Sequence, residues 1–181
     1  TRLMLVPFDD AVRACEAVSA VFRAGITPSA PVLMGRDAIA ILPAAPPRTR
    51  NADNEDNYRQ DSDFHYLTGF GEPEAVAVLA PERDPADYIL FVRDRNPERE
   101  IWDGKRAGTE GAKSAYAAAD AFPITDIDEI LPGLLEKRSR VYYTMGRYPD
   151  FDQRIVGWVN TLRAQARAGR HPPQEFVALD H

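Results

Sequence analysis

A mixed β-sheet with helices on its faces, a three-layer α/β domain, is the fold class predicted here. Three observations predict it. Short apolar runs and amphipathic helical segments alternate along much of the chain. Two of the runs, residues 74–79 and 87–93, are separated only by 81–85, short enough for a hairpin and hence an antiparallel pair. The 181 residues are 44% apolar, enough for one domain with a real core.

In chain order, residues 9–24 predict a helix. Asp9 can cap it, Val12, Cys15, Val18 and Phe22 share a face, and Gly25 stops it. Pro28 and Pro31 then break regular structure. Residues 37–42 are a short apolar strand, and Pro43, Pro46 and Pro47 force a loop into the polar segment 48–57. Residues 62–67 read as an extended piece closed by Gly69 and Gly71. After the strand pair, 98–102 and 110–119 have helical composition, with Thr109 as the cap of the second. Residues 126–137 form a helix with Ile127, Ile130, Leu131, Leu134 and Leu135 on one side, its regular start displaced by Pro132. Residues 141–144 are a strand. Residues 151–168 are a long amphipathic helix in which Ile155, Val159, Leu162 and Ala166 recur at helical spacing.

The net charge of −6 argues against non-specific binding to nucleic acid or to an anionic membrane. No apolar run approaches the roughly 20 residues of a membrane span. Arg2 is not followed by an apolar core and a cleavage site, so the start is not read as a secretory signal. Cys15 is the only cysteine, which excludes an internal disulfide and suits a reducing, cytoplasmic setting.

Candidate chemistry is sparse. Residues 50–63 gather Asp53, Glu55, Asp56, Asp61 and Asp63. Counted as a calcium loop from Asp53, the glycine position holds Tyr58 and the closing glutamate position holds Phe64, so a solvated acidic loop is the simpler reading. His65, His171 and His181 are far apart, and His65 reads as a surface or half-buried strand histidine. Ser62 lies between two aspartates without a base to activate it. Cys15, on an apolar helix face, reads as a buried inert thiol. The glycines of 69–71 and 104–108 match no phosphate-binding fingerprint, although 104–108 is basic and could hold an anion. Trp102, between charged neighbours, is either a core anchor or part of a contact surface. No catalytic residue and no metal ligand is assigned.

Longer patterns say more. Residues 58–70 read Tyr58-Arg59-Gln60-Asp61-Ser62-Asp63-Phe64-His65-Tyr66-Leu67-Thr68-Gly69-Phe70, followed by Glu72-Pro73-Glu74-Ala75. Arg50-Asn51-Ala52-Asp53 lies before them, and Glu100-Ile101-Trp102-Asp103-Gly104-Lys105-Arg106-Ala107-Gly108 after. These three blocks, in this order, closely resemble the aminopeptidase P (Xaa-Pro aminopeptidase) N-terminal domain, of the creatinase and prolidase-like family. The resemblance runs from about Arg36 to Asp180, and residues 173–180 look like the approach to a second domain. One departure is the proline-containing segment 28–34, where the family has an Arg-rich helix before the first matching strand.

The resemblance implies a creatinase N-terminal-like (ribonuclease H-like) domain over residues 36–181, preceded by a helix and Pro-rich connection over 1–35. It implies a parent enzyme that removes the residue preceding proline, using two manganese ions held by two Asp, one His and two Glu in a catalytic domain absent from this chain. The fragment alone is expected to be inactive and to bind no metal. Its expected task is to shape the substrate entrance and the subunit contacts of a homo-oligomer acting on proline-containing peptides. By position, Asp53 and Trp102 match family residues that reach toward substrate. Asp53, Arg59 and Glu72 are expected in a partly buried polar network, because charges beside Phe64, Tyr66 and Phe70 persist only when paired. The alternative function is a stand-alone interaction module of the same fold. A nucleic-acid-binding reading is opposed by the acidic balance.

Overall fold

A computed structural model describes residues 34–47, 49–51, 54–55 and 58–179, together with Ala17; side chains are described for 17, 34–47, 58–101 and 104–179. The helix expected over 9–24 therefore lies outside the described residues apart from Ala17, and so does Cys15.

Six strands form the main sheet in the order β6-β5-β4-β1-β7-β8. They are β1 (Ala38–Pro43), β4 (Val76–Leu79), β5 (Tyr88–Val92), β6 (Asp120–Pro123), β7 (Arg140–Tyr143) and β8 (Glu175–Ala178). β4 is antiparallel to both its neighbours, with Ala40 opposite Leu79 and Val78 opposite Ile89. The pairs β1–β7, β5–β6 and β7–β8 are parallel. Two very short strands, β2 (Thr49–Asn51) and β3 (Asn54–Glu55), pair separately.

β1, β4 and β5 are buried at every position, as strands covered on both faces should be, and their side chains alternate between two cores. Ile39, Ile41, Val78, Ile89, Phe91 and Val141 meet α4 (Ile127–Leu135) and α5 (Pro149–Ala164) through Leu131, Leu135, Ile155, Trp158 and Leu162. On the other face Ala40, Leu42, Ala77, Leu90 and Val92 meet Phe64 of α1 (Ser62–Thr68), Phe70 and Ala112 of α3 (Gly108–Tyr116). The result is the three-layer, mixed-sheet α/β arrangement predicted above. At the amino end of β1, the guanidinium of Arg138 donates to the carbonyls of Arg36 (2.7 Å), Pro81 (3.2 Å) and Ala38 (3.4 Å), tying three chain segments together. Burial lowers its pKa.

The structure corrects several local expectations. Residues 62–67 are not extended but helical. Asp61 caps α1 by accepting from the N–H groups of Asp63 and Phe64 (both 3.0 Å), and Gly69, at φ +69°, ends it in the left-handed conformation. His65 is thus an exposed helix residue and not a strand histidine. Thr109 caps nothing: α3 starts at Gly108 with Ala107 at its cap position and no side-chain cap. Pro132 does not displace the start of α4, which runs from Ile127 to Leu135 with Pro132 buried inside it. Residues 173–180 include β8, the last strand of the sheet.

Candidate functional site

All strands of the main sheet but β4 run the same way, so the carboxyl ends of β1, β5, β6, β7 and β8 share one edge. Open α/β sheets ordinarily present ligands at that edge. Two stretches leave and return there: 46–57 after β1, containing Asp53, and 94–106 after β5, containing Trp102.

Gln60 closes the base of the first. Its Oε1 accepts from Ala45 N (2.9 Å) and Asp61 N (2.9 Å), and the Tyr58 hydroxyl lies 2.8 Å from both Gln60 Oε1 and the Ala45 carbonyl. Its Nε2 donates to the carbonyls of Glu72 (2.9 Å) and Phe70 (3.3 Å). Every hydrogen-bonding group of the amide is used, which suits a half-buried polar side chain. Burial pushes the Tyr58 phenol up to about 12; Tyr148 and Asp61 add to the shift and Arg93 opposes it.

Glu72 closes the base of the second. Its Oε1 accepts from Ala107 N at 2.7 Å, and its Oε2 lies 3.7 Å from Arg93. One carboxylate thereby hydrogen-bonds the residue after the stretch and lies within ion-pair range of the residue before it, where its Oε2 makes no hydrogen bond. Arg93 also lies 3.8 Å from Glu74. Within the stretch, α2 (Pro97–Asp103) is capped by Asn96, which accepts from Arg99 N. Arg95 meets both oxygens of Glu100 at 3.4 Å, and this hydrogen bonding holds the Glu100 carboxyl below its ordinary pKa. Arg106 donates to the Asp94 carbonyl at 3.4 Å. Gly108, the first residue of α3, sits at φ +63°, and a Cβ there would come within 2.6 Å of Arg95 Cγ, so any other residue would be strained there and would displace Arg95. Ile101, beside Trp102 in α2, is 79% exposed.

A third polar group borders these two. The Asp61 carboxylate, besides capping α1, accepts from the Tyr148 hydroxyl (3.0 Å) and pairs with Arg147 (3.1 Å), which also reaches Asp63 (3.3 Å).

Of the residues singled out in the sequence, Trp102 lies in α2, described by its backbone, and Asp53 lies between β2 and β3, outside the described residues. Glu72 is in a half-buried polar network as expected. Arg59 is not: its side chain is exposed, and the inward place is taken by its neighbours Tyr58 and Gln60. The sequence reading missed Gln60 and Arg93: three of the five partners of Gln60, and both acidic partners of Arg93, lie ten or more positions away. Among the described residues no group of three or more His, Cys, Asp or Glu could hold a metal ion, so these residues do not fit a manganese pair. No helix among them is long and apolar enough to cross a membrane.

Comparison with known proteins agrees with this architecture. Residues 29–142 match the family model described as "Aminopeptidase P, N-terminal domain". The chain is 37% identical over 139 residues to the Xaa-Pro aminopeptidase of Escherichia coli K12, covering 76% of this chain and 32% of that protein. It is 34% identical to Xaa-Pro aminopeptidase 3 of Rattus norvegicus, covering 76% and 29% respectively. Among solved structures it superposes on the Pseudomonas aeruginosa aminopeptidase PepP with a TM-score of 0.81, at 54% identity, over 99% of this chain and 38% of that one. For Escherichia coli aminopeptidase P with the inhibitor Pro-Leu, the TM-score is 0.75 at 37% identity, over 80% and 33%. The chain thus spans roughly a third of the length of these relatives. With 114 of its 181 residues inside the matching region (142 − 29 + 1 = 114) and this superposition, the chain belongs to the aminopeptidase P N-terminal domain family.

Proposed function

We propose that this domain shapes the substrate entrance and the subunit contacts of a manganese-dependent Xaa-Pro aminopeptidase that acts in the cytoplasm on proline-containing peptides. It contributes no catalytic group. Catalysis and both metal ions belong to a separate domain, and Asp53 and Trp102 are the substrate-facing residues supplied from this one. The observation that carries the reading is the construction of α2. It stands on a base braced by Glu72, Arg95 and Arg106, yet it leaves Ile101 uncovered beside Trp102. One exposed apolar residue is ordinary on a protein surface; what supports the reading is the bracing, because a helix fixed at its base holds what it presents in one place. The relatives named as Xaa-Pro aminopeptidases support the enzyme class.

The test is Trp102→Ala in the full-length enzyme. The expected result is a raised KM or lowered kcat/KM for longer peptides, with little change in the melting temperature of this domain. A core tryptophan replaced by alanine costs about 3–5 kcal/mol, which would register as a large drop in melting temperature. Destabilisation with unaltered peptide kinetics would identify Trp102 as a packing residue and sink the entrance role.

A further inference from the structure

Gln60 and Glu72 do the same thing at two neighbouring places. Gln60 Oε1 receives N–H or O–H groups from both ends of the 46–57 stretch, at Ala45 and Tyr58. The two oxygens of Glu72 meet both ends of the 94–106 stretch, at Ala107 and Arg93. The two residues are themselves joined, because Gln60 Nε2 donates to the Glu72 carbonyl at 2.9 Å. Neither takes part in the strand pairings, which run through other residues. Both side chains are half-buried, so water competes poorly for their hydrogen bonds.

We infer that Gln60 and Glu72 are positioning residues, a pair of linked clamps that fix the base of the 46–57 stretch and the base of the 94–106 stretch relative to one another. The consequence for substrate rests on the entrance role proposed above; the clamping does not. Gln60 and Glu72 do not touch substrate in this scheme. They act through the stretches they hold, and the shared hydrogen bond makes a disturbance at one base felt at the other.

Two variants separate the parts of the device. Glu72→Ala removes the acceptor for Ala107 N and the partner of Arg93. Gln60→Glu keeps the acceptor oxygen that faces Ala45, Tyr58 and Asp61 but removes the Nε2 donors, cutting the link to Glu72. Should Glu72→Ala fail to fold, Ala107→Pro removes the same hydrogen bond from the other side. The φ of −63° at Ala107 already suits proline.

The experiment has two independent readouts, both on the full-length enzyme. The first is amide hydrogen exchange. Glu72→Ala is expected to speed exchange across 94–107 by roughly tenfold, the scale of one lost hydrogen bond, and to speed it measurably at 58–61. Gln60→Glu is expected to produce the same coupling in the opposite direction. Exchange at 94–107 unchanged in Glu72→Ala, or confined in both variants to the mutated base, overturns the linked clamps. The second readout is a double-mutant cycle with Trp102→Ala. Glu72→Ala is expected to raise KM for longer peptides severalfold with kcat little changed, and to have no further effect once Trp102 is gone. Equal effects of Glu72→Ala in both backgrounds overturn the claim that Glu72 acts through Trp102. If Trp102→Ala alone changes nothing, the entrance role fails, while the exchange result still decides the clamps.

Discussion

Arg59 and Gln60 are adjacent, and only one of them matters to the fold. Charge made Arg59 the conspicuous member of the motif, yet its side chain is exposed, whereas the neutral Gln60 uses its whole amide on five partners. Arg59→Ala is expected to stay within about 0.5 kcal/mol of the parent in chemical denaturation, as surface changes usually do. Gln60→Ala leaves several half-buried donors and carbonyls without partners and is expected to cost about 1–3 kcal/mol. Comparable midpoints for the two variants would refute this contrast. The difference could not be read from the sequence, because it depends on the Ala45 amide, 15 positions earlier, and the Glu72 carbonyl, 12 positions later. Glu72, with its partner Ala107 35 positions away, is the same case, although the expectation of partial burial there was met.

Among the elements, legibility followed burial. β1, β4 and β5 are apolar at nearly every position because both of their faces are covered, so the sequence exposes them directly. β6 (DAFP) and β8 (EFVA) are edge strands, only partly covered, and β6 opens on an aspartate and ends on a proline, so neither forms the longer apolar run that marks a buried strand. α1 was misread for a different reason. Phe64, Tyr66 and Phe70 fall at even spacing, which imitates a strand, but only Phe64 and Phe70 are buried, and Tyr66 is turned outward. The decisive signal was Asp61, hidden in an acidic run that looked like a solvated loop. Its carboxylate caps α1 and also receives Tyr148 and Arg147 from the far side of the β7–α5 connection. Asp61→Ala is therefore expected to destabilise the domain by about 2–3 kcal/mol, more than a lost cap alone. Asp61→Asn keeps one oxygen for the helix but turns an NH2 group toward Arg147 and Tyr148, so it should recover only the share that belongs to the cap. Denaturation midpoints of the three proteins decide it, and an Asp61→Ala loss below that of an ordinary exposed cap would show that the Arg147 and Tyr148 contacts add nothing.

For the molecule as a whole, the buried phenols set a behaviour at high pH. Tyr58 is pushed up to about 12 by burial, and Tyr88 is raised as well, by burial alone. In the unfolded chain both ionise near the ordinary tyrosine value of about 10. Between those values the unfolded state releases protons that the folded state retains, so stability is full below about pH 10 and falls as pH rises toward about 12. Tyr58→Phe is expected to be less stable at neutral pH, having lost its hydroxyl contacts, yet to decline less steeply over that interval. Parallel pH profiles for variant and parent would rule out Tyr58 as a contributor.

The closed bases of 46–57 and 94–106 also bear on how such a domain can change over generations. Because Ala45 is joined to Tyr58, and Arg93 to Ala107 through Glu72, each stretch begins and ends at a fixed separation whatever lies between. Insertions, deletions and exchanges between those points are therefore expected to leave the sheet and both cores in place, as loops on a rigid scaffold commonly allow. The domain can thus be treated as a chassis with two sockets. Segments transplanted from a relative at the boundaries 45/46 and 57/58, or 93/94 and 106/107, would meet bases already closed, with no redesign of the core.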